Sequence, residues 1–270
     1  MNGPRAVGIL GALAASAVLS AELDRRREAG GLAEAGLDPG SAADLGAVGL
    51  GGLRPFVLDV LWCRATDQWM RKEWHETAAT FEAIERLEPR VPEVWIANAW
   101  TLCVQIAGEA LARGDEESAW AWFSRGLDRL EEGRRVNPRS ARIVYYLSVL
   151  HSRMGRSEPF WSRFQARGRN PVLIARELAR AAVDLSPENP SLHYWAALAS
   201  RDAALFLVDR QRLAEAREMA REALRSLDET RRRLDRIPGA PDGVRAPFEE
   251  RLDAWRADVE ALEADLGRRR

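Results

Sequence analysis

The sequence predicts an all-helical protein built as an array of antiparallel helix pairs. Three prolines stand at equal intervals of 49 residues, at Pro89, Pro138 and Pro187, and Pro238 follows 51 residues later. Each ends an amphipathic run rich in Ala, Leu, Glu and Arg, where proline is favoured because it lacks an amide hydrogen and fixes φ. The first three also open the next run directly. No segment alternates apolar and polar residues with period two, so no sheet is expected.

The composition favours a large core and argues against nucleic-acid binding. The chain has 270 residues, of which 46% are hydrophobic and 30% are charged, which is ample for one domain or one continuous array. Forty basic against 41 acidic residues leave a formal charge of −1, so nucleic-acid binding is not expected. Cys63 and Cys103 lack a metal-binding spacing and lie in apolar helical stretches. Both are expected to be buried thiols, with a disulfide between them as the alternative.

The N-terminus differs from the rest of the chain. Residues 6–21 carry no charge and follow Arg5, but the stretch is shorter than the roughly 20 residues of a comfortable membrane span. Residues 1–27 are therefore predicted to be a signal anchor or a signal peptide, with a retained anchor preferred and an ordinary buried helix as the alternative. Flanking charges and the signal-like pattern point to opposite sides of the membrane, so the side stays open. The Gly/Ala-rich residues 28–52 are predicted to be a linker.

The helices of the body follow from hydrophobic stripes and boundary signals. Pro92 with Glu93 marks a helix start, because proline and an acid both suit the first turn. Gly114 breaks that helix, and Asp115 is predicted to cap the next one. Residues 156–170 are predicted to be irregular. The predicted helices are 53–71, 74–88, 92–112, 115–136, 138–155, 171–185, 190–209, a following helix to 236, and 244–267.

The last helix is predicted to cap the array. A heptad-like stripe runs along it at Phe248, Leu252, Trp255, Val259, Leu262 and Leu266. The preceding helix offers small residues that allow close approach, so the two are expected to fold into an antiparallel hairpin. The alternative is an exposed stripe used for dimerisation. Residues 237–270 are accordingly predicted to be a C-terminal capping segment.

One spacing recurs at the end of the second helix of each period. Small and apolar residues at fixed steps precede the proline: Thr77, Phe81, Ile84 and Pro89; Gly126, Leu130, Gly133 and Pro138; Ala175, Ala179, Ala182 and Pro187; and, without the proline, Ala216, Ala220 and Ala223. Over residues 53–236 the chain thereby resembles tetratricopeptide repeat proteins. It departs from them in its longer period and in lacking the Trp-Leu-Gly-Tyr signature of their first helix. The resemblance implies an α-solenoid that binds other proteins.

A second resemblance is narrower. Gly51-Gly52-Leu53-Arg54, Asp59-Val60-Leu61-Trp62, Pro92-Glu93-Val94-Trp95 and Asn137-Pro138-Arg139-Ser140 look like segments of a group of bacterial proteins with an N-terminal membrane segment and a tetratricopeptide-like body. The likeness covers roughly residues 48–190. This resemblance implies a single-pass anchor in the bacterial cytoplasmic membrane, but it does not indicate any particular activity. The residues taken as its structural motif are Gly52, Arg54, Asp59, Trp62, Pro89, Pro138 and Pro187.

The sequence contains no motif that predicts chemistry. Asp59 lies in an apolar stretch, so partial burial and an arginine partner such as Arg54 are expected. His75, His151 and His193 are scattered without a metal-ligand spacing, and no nucleotide loop or nucleophile motif occurs. No enzyme, cofactor or metal is therefore expected. The alternative from another class is an envelope hydrolase that uses Asp59 or Glu73 with His75.

The partner surface is predicted on the first helices of the pairs, because stacked pairs present those helices to a common face. It is built around Trp95, Asn98, Tyr145 and Trp195. The 156–170 segment lies at its rim with Trp161, Arg163 and Phe164, since aromatic residues and arginine dominate interface hot spots. The alternative for this segment is a short helix that packs its aromatic residues onto the array. The expected function is a membrane-tethered scaffold for a protein or peptide, with a structural subunit of a membrane complex as a further alternative.

Overall fold

The computed structural model of the chain describes residues 54–236 and 242–268. Three sets of predictions lie outside these residues: the membrane segment at 6–21, the linker at 28–52 with Gly52, and most of the break after residue 236. Contacts divide the chain into two compact units, Met1–Val60 and Leu61–Arg270.

Every regular element of the described residues is helical, so the prediction of an all-helical protein is confirmed there. The elements are α1 (Arg54–Met70), α2 (Trp74–Leu87), α3 (Pro92–Trp100), a π-helix (Thr101–Ile106), α4 (Ala107–Ala112), α5 (Glu116–Val136), α6 (Ala141–Arg153), α7 (Phe160–Ala166), α8 (Pro171–Leu185), α9 (Pro190–Asp209), α10 (Leu213–Leu234) and α11 (Asp242–Arg268). The bounds agree with the predicted ones within a few residues. The exception is α7, which lies in a stretch predicted to be irregular.

The periodic prolines occupy turns instead of opening helices, so that part of the prediction is wrong. Pro89, Pro138 and Pro187 each lie two residues after one helix ends and three residues before the next begins. In two of the three cases a capping side chain stands between the proline and the next helix. Ser140 accepts a hydrogen bond from the Ile143 amide, and Asn189 accepts one from the Ser191 amide. The first helices consequently begin at residues 92, 141 and 190, again 49 residues apart.

The helices of the second unit pack as successive antiparallel pairs. The chain from α3 to α4 packs against α5, α6 packs against α8, and α9 packs against α10. Neighbouring pairs contact each other through α2 with α3, α5 with α6, α8 with α9, and α3 with α6. Two second helices therefore lie between first helices, α5 between α3 and α6, and α8 between α6 and α9.

The repeated spacing in the sequence corresponds to buried crossing positions. All of its members before the prolines are buried: Thr77, Phe81 and Ile84; Gly126, Leu130 and Gly133; Ala175, Ala179 and Ala182; and Ala216, Ala220 and Ala223. Ala179 packs with Ala196 and Ala199 of α9, as expected for a small residue at a helix crossing. The predicted register is confirmed.

Glycine replaces alanine in one repeat because larger residues face it. A Cβ atom on Gly133 would lie 2.7 Å from Cγ of Trp95, and one on Gly126 would lie 2.3 Å from Sγ of Cys103. Both distances are shorter than van der Waals contact. In the pair formed by α3 to α5, the two glycines leave room for the side chains of Trp95 and Cys103. At the equivalent crossings of other pairs, small side chains pack against each other.

The C-terminal hairpin is confirmed. Leu252, Val259 and Leu266 of α11 are buried in one cluster with alanines of α9 and α10. Arg217 pairs with Glu263 and Arg231 pairs with Asp253, so the two helices run antiparallel. Leu252, Val259 and Leu266 of the predicted stripe are therefore used within the chain and are not free for dimerisation.

Two glycines of the same pair give a matched test of backbone conformation. Gly114, in the turn before α5, has a φ of +76°, which L-residues with a side chain rarely adopt. Gly108, in α4, is helical and has open space around its Cα. We expect Gly114→Ala to lower the free energy of unfolding by roughly 1–2 kcal/mol. Gly108→Ala should raise it by roughly 0.5–1 kcal/mol. Urea denaturation measures both, and equal shifts of the two variants would contradict this account.

Candidate functional site

A row of half-buried aromatic side chains crosses the first helices of three successive pairs. Trp100 at the end of α3 contacts Tyr146 of α6 at a centroid distance of 6.3 Å. Tyr146 contacts Tyr145 at 5.1 Å, and Tyr145 contacts Trp195 of α9 at 5.6 Å. The rings meet edge to face, with interplanar angles of 78–89°, an arrangement that aromatic pairs prefer. We call Trp100, Tyr145, Tyr146 and Trp195 the aromatic row.

Most polar atoms of the row are not used by the fold. The Trp195 indole N–H donates to the Ser148 hydroxyl at 2.7 Å, and that hydroxyl donates to the Ala175 carbonyl. The Trp100 indole and the hydroxyls of Tyr145 and Tyr146 make no hydrogen bond within the described part of the chain, and none of these atoms is buried. Burial of the ring raises the pKa of Tyr145, so its hydroxyl is a donor at neutral pH. Three donors therefore face solvent along the row.

Charged groups on the same helices are mostly paired with one another. Arg142 of α6 forms an ion pair with Glu93 of α3. Asp202 of α9 pairs with Arg156 and with Arg201. The first pair is neutral, whereas Asp202 with its two arginines leaves one positive charge.

Arg153 of α6 is a charged group whose field reaches the row. It is exposed and makes no ion pair with the described residues. Its charge acts to lower the pKa of Tyr145, against the larger effect of burial. Arg153 follows Tyr146 by seven residues, which places both on one side of α6.

The structure brings together two of the predicted first-helix residues and separates the other two. Tyr145 and Trp195 are in contact in the row. Trp95 and Asn98 are buried, so their prediction as partner-binding residues is wrong. Both point toward the second helices: Trp95 packs over Gly133 and donates its indole N–H to the Pro89 carbonyl at 2.8 Å.

Asn98 belongs to a buried polar cluster between α2, α3 and α5. Its amide donates to Glu85 Oε1 at 2.8 Å, and Arg129 Nη2 lies 2.9 Å from Glu85 Oε2. Glu85 is only 2% exposed. Desolvation outweighs the hydrogen bond from Asn98 and the charge of Arg129, and it raises the pKa of Glu85 to about 7. The carboxyl group thus changes charge near neutral pH inside the helix array.

The predicted irregular segment contains α7, whose aromatic residues pack inward. Phe160 and Phe164 are buried, and Phe123 of α5 stacks on Phe160 at 4.5 Å. The prediction that Phe164 binds a partner is therefore wrong, and the alternative of a short helix packed onto the array is confirmed. The buried His151 lies against Phe164 at 5.4 Å, and desolvation lowers its pKa to about 4, so it is neutral at physiological pH.

Trp161 and Arg163 lie on the outer side of α7. Trp161 contacts Phe206 of α9 at 5.8 Å. The two rings border a cleft of about 260 Å³, below the roughly 300–1,000 Å³ of typical small-molecule sites. Arg163 pairs with Glu117 of α5 at 2.7 Å and lies over the Trp120 ring. Their predicted role at the rim of a partner surface stays a prediction.

Other predicted positions have structural or surface roles. Trp62 packs against Phe81 at 5.7 Å. Asp59 and Cys63 are exposed, so the predictions that they are buried are wrong. Both lie on the outward side of α1, while its inward side buries Leu58 and Ala65. Cys103 is buried, as predicted, and it forms no disulfide with Cys63.

The described residues contain neither a metal centre nor a clear acid–base pair. No group of three or more His, Cys, Asp or Glu side chains in them could hold a metal ion. Glu73 and His75 do not hydrogen bond each other there, and the His75 ring lies against Trp122 at 5.2 Å. Among the described helices, none is both long enough and apolar enough to cross a membrane.

Comparison of the chain with known proteins gives a similar solved structure. No protein-family model matches the chain, and no curated protein matches it. A solved structure described as "MamA RS-1 ArsTM double mutant" is similar over 77% of this chain and 95% of that one, with 12% sequence identity and a TM-score of 0.38. A likeness of this extent does not assign a function.

Sequence reasoning missed Trp100 and Tyr146. For Tyr146 a signal was present, because Tyr146 and Trp195 stand 49 residues apart and so occupy the same repeat position. The same period relates Trp95 to Val144 and His193, which are all buried. His193 even repeats the contact of Trp95, with its Nε2 lying 2.7 Å from the Pro187 carbonyl. The period does not relate Trp100 to the row in this way, because Trp100 and Tyr146 stand 46 residues apart and so occupy different positions of the repeat.

Proposed function

We propose that this chain is a tetratricopeptide-like scaffold that binds a protein partner through the aromatic row and performs no catalysis. The observation that supports the proposal is the row itself, with donors of Trp100, Tyr145 and Tyr146 that the fold leaves unused. Tyrosine and tryptophan supply large contact area at low entropic cost, and they are common interface hot spots.

The helix pairs supply the rigid support that such a surface needs. The row is built on three first helices, and each helix is held by a second helix behind it. Placing binding residues on packed helices limits the entropy lost on association. A repeated pair presents equivalent positions at regular spacing, which suits an extended segment of a partner.

A membrane tether remains part of the proposal. Residues 6–21 are the proposed anchor, and the bacterial cytoplasmic membrane is the proposed location. This rests on the uncharged stretch after Arg5 and on the resemblance described above. The anchor would hold the scaffold near partners at the membrane surface.

Affinity capture with two double variants tests the binding role. Trp100→Ala with Tyr146→Ala removes the centre of the row, and we expect specific partners to be recovered at least roughly tenfold less than with the unaltered chain. Val136→Ala with Leu185→Ala is the control, because both side chains are exposed apolar groups near the ends of second helices.

Quantitative mass spectrometry after capture from cells of the source organism gives the readout. Partners that depend on the row and tolerate the control variant support the proposal. An identical set of partners with both variants would contradict it. Circular dichroism melting of each variant checks that the fold is retained.

A further inference from the structure

We propose that the aromatic row binds a proline-rich segment of a partner, in the polyproline II conformation, with an acidic side chain at the end nearest Arg153. The inference rests on the proposed function and names the chemistry of the partner. It is argued from the donors, the rings and the free charge of the row.

The row offers donors and aromatic surface but few strong acceptors. The Trp100 indole N–H is a donor only, and the hydroxyls of Tyr145 and Tyr146 can donate. None of the three has a partner within the described residues. A ligand that matches this surface supplies carbonyl acceptors and few amide donors of its own.

Proline-rich segments have this chemistry. A proline residue keeps its carbonyl but has no amide hydrogen, and its ring packs well on aromatic faces. The polyproline II helix has no internal hydrogen bonds, so its carbonyls remain free to accept. It is also already extended in solution, which lowers the entropy lost on binding.

An amphipathic helix fits the row less well. Such a helix satisfies its backbone carbonyls internally and needs a groove that buries a stripe of apolar anchors. The row instead consists of edge-to-face rings, and the polar atoms of Trp100, Tyr145 and Tyr146 are in solvent. A bound helix would cover the donors of Trp100, Tyr145 and Tyr146 but would offer them no acceptors. Burying donors without acceptors is unfavourable.

The charges around the row indicate that the bound segment carries an acidic side chain at one end. Glu93 is already paired with Arg142, and Asp202 is paired with Arg156 and Arg201. Arg153 is exposed and makes no ion pair with the described residues. A carboxylate on the ligand would find its partner there.

Nuclear magnetic resonance of the full chain with synthetic peptides provides the test. The indole N–H signal of Trp100 is assigned by its loss in Trp100→Phe. A decaproline peptide that ends in two glutamates is expected to shift this signal in a saturable manner. A Gly/Ser peptide of the same length and charge, which does not form polyproline II, is the matched control and should leave it unchanged.

Two variants test the separate contributions. Tyr145→Phe with Tyr146→Phe keeps the rings but removes two donors, and it should weaken binding of the proline peptide roughly three- to tenfold. Arg153→Glu should weaken binding of the acidic peptide by up to roughly fivefold and strengthen binding of a decaproline that ends in two lysines.

The outcomes separate this inference from the proposed function. No shift of the Trp100 signal with decaproline, an equal shift with the Gly/Ser peptide, or a shift only with an amphipathic helical peptide overturns the inference. If protein capture still depends on Trp100 and Tyr146 in those cases, the scaffold function stands with a partner of other chemistry. If capture does not depend on them either, both proposals fail.

Discussion

Phe164→Ala is expected to lower the free energy of unfolding by roughly 3–5 kcal/mol, because it deletes a fully buried aromatic ring from a packed cluster. The ring is 1% exposed and meets Phe123, Trp120 and His151 edge-on or tilted. The lost contacts leave a cavity that the neighbouring helices cannot close. Thermal unfolding should show a decrease in Tm of about 10 °C.

Leu205→Ala is the control for this prediction. Leu205 is a large apolar residue of α9, but 44% of it is exposed. We expect its removal to change the free energy of unfolding by no more than about 1 kcal/mol. If Phe164→Ala were as mild as Leu205→Ala, α7 would not be packed onto the array and its aromatic residues would again be candidates for partner binding.

Glu85→Gln is expected to remove a pH dependence of stability. The pKa of Glu85 is raised from 4.5 to about 7 in the folded state. Between these values the folded chain holds a proton that the unfolded chain has released. The stabilisation from this group is therefore complete below pH 4.5 and is lost as the pH rises to about 7. The difference between the two pKa values corresponds to about 3 kcal/mol.

Urea denaturation at several pH values gives the measurement. Glutamine imitates the protonated carboxyl group, so the variant and the unaltered chain should have similar stability near pH 4.5. Above pH 7 the variant should be the more stable by up to about 3 kcal/mol. A difference that does not change with pH would contradict the assignment to Glu85.

Arg129→Gln tests the direction in which Arg129 shifts the pKa of Glu85. Arg129 lies 2.9 Å from Glu85 and lowers the pKa of its carboxyl group. Without the guanidinium, the pKa of Glu85 should rise further, so the loss of stability that starts near pH 4.5 should continue to a pH above 7. Glu82 and Glu132, which both act to raise the pKa, would remain in place. A window displaced to lower pH would show that the carboxyl group is governed by other neighbours.

Much of the fold could be predicted from local sequence patterns. The 49-residue period places Ala175, Ala179 and Ala182 at a helix crossing, and these residues are buried there. Amphipathic stripes and caps such as Asp115 located the helix ends, because such signals depend on residues close together in the chain. The short α7 was missed because seven residues hold too little periodicity to indicate a helix.

The candidate site was less predictable because aromatic residues serve both cores and surfaces. Trp95 and Trp195 both stand near the start of a first helix, yet Trp95 fills the space above Gly133 while Trp195 remains half-buried in the row. Their positions within the 49-residue period differ by two residues, which turns the side chain to another side of the helix.

The sequence alone determined that this chain forms paired helices, where they begin and end, and which small residues lie at their crossings. These properties follow from hydrophobic periodicity and from proline, glycine and capping residues, which act over a few neighbours. Only the tertiary structure decided that Glu85 is buried beside Asn98 and Arg129, and that Trp100, Tyr145, Tyr146 and Trp195 form one row. The contacts of Glu85 with Arg129, of Trp100 with Tyr146 and of Tyr145 with Trp195 join residues 44 to 50 positions apart in the chain. Their geometry depends on how closely each pair of helices packs.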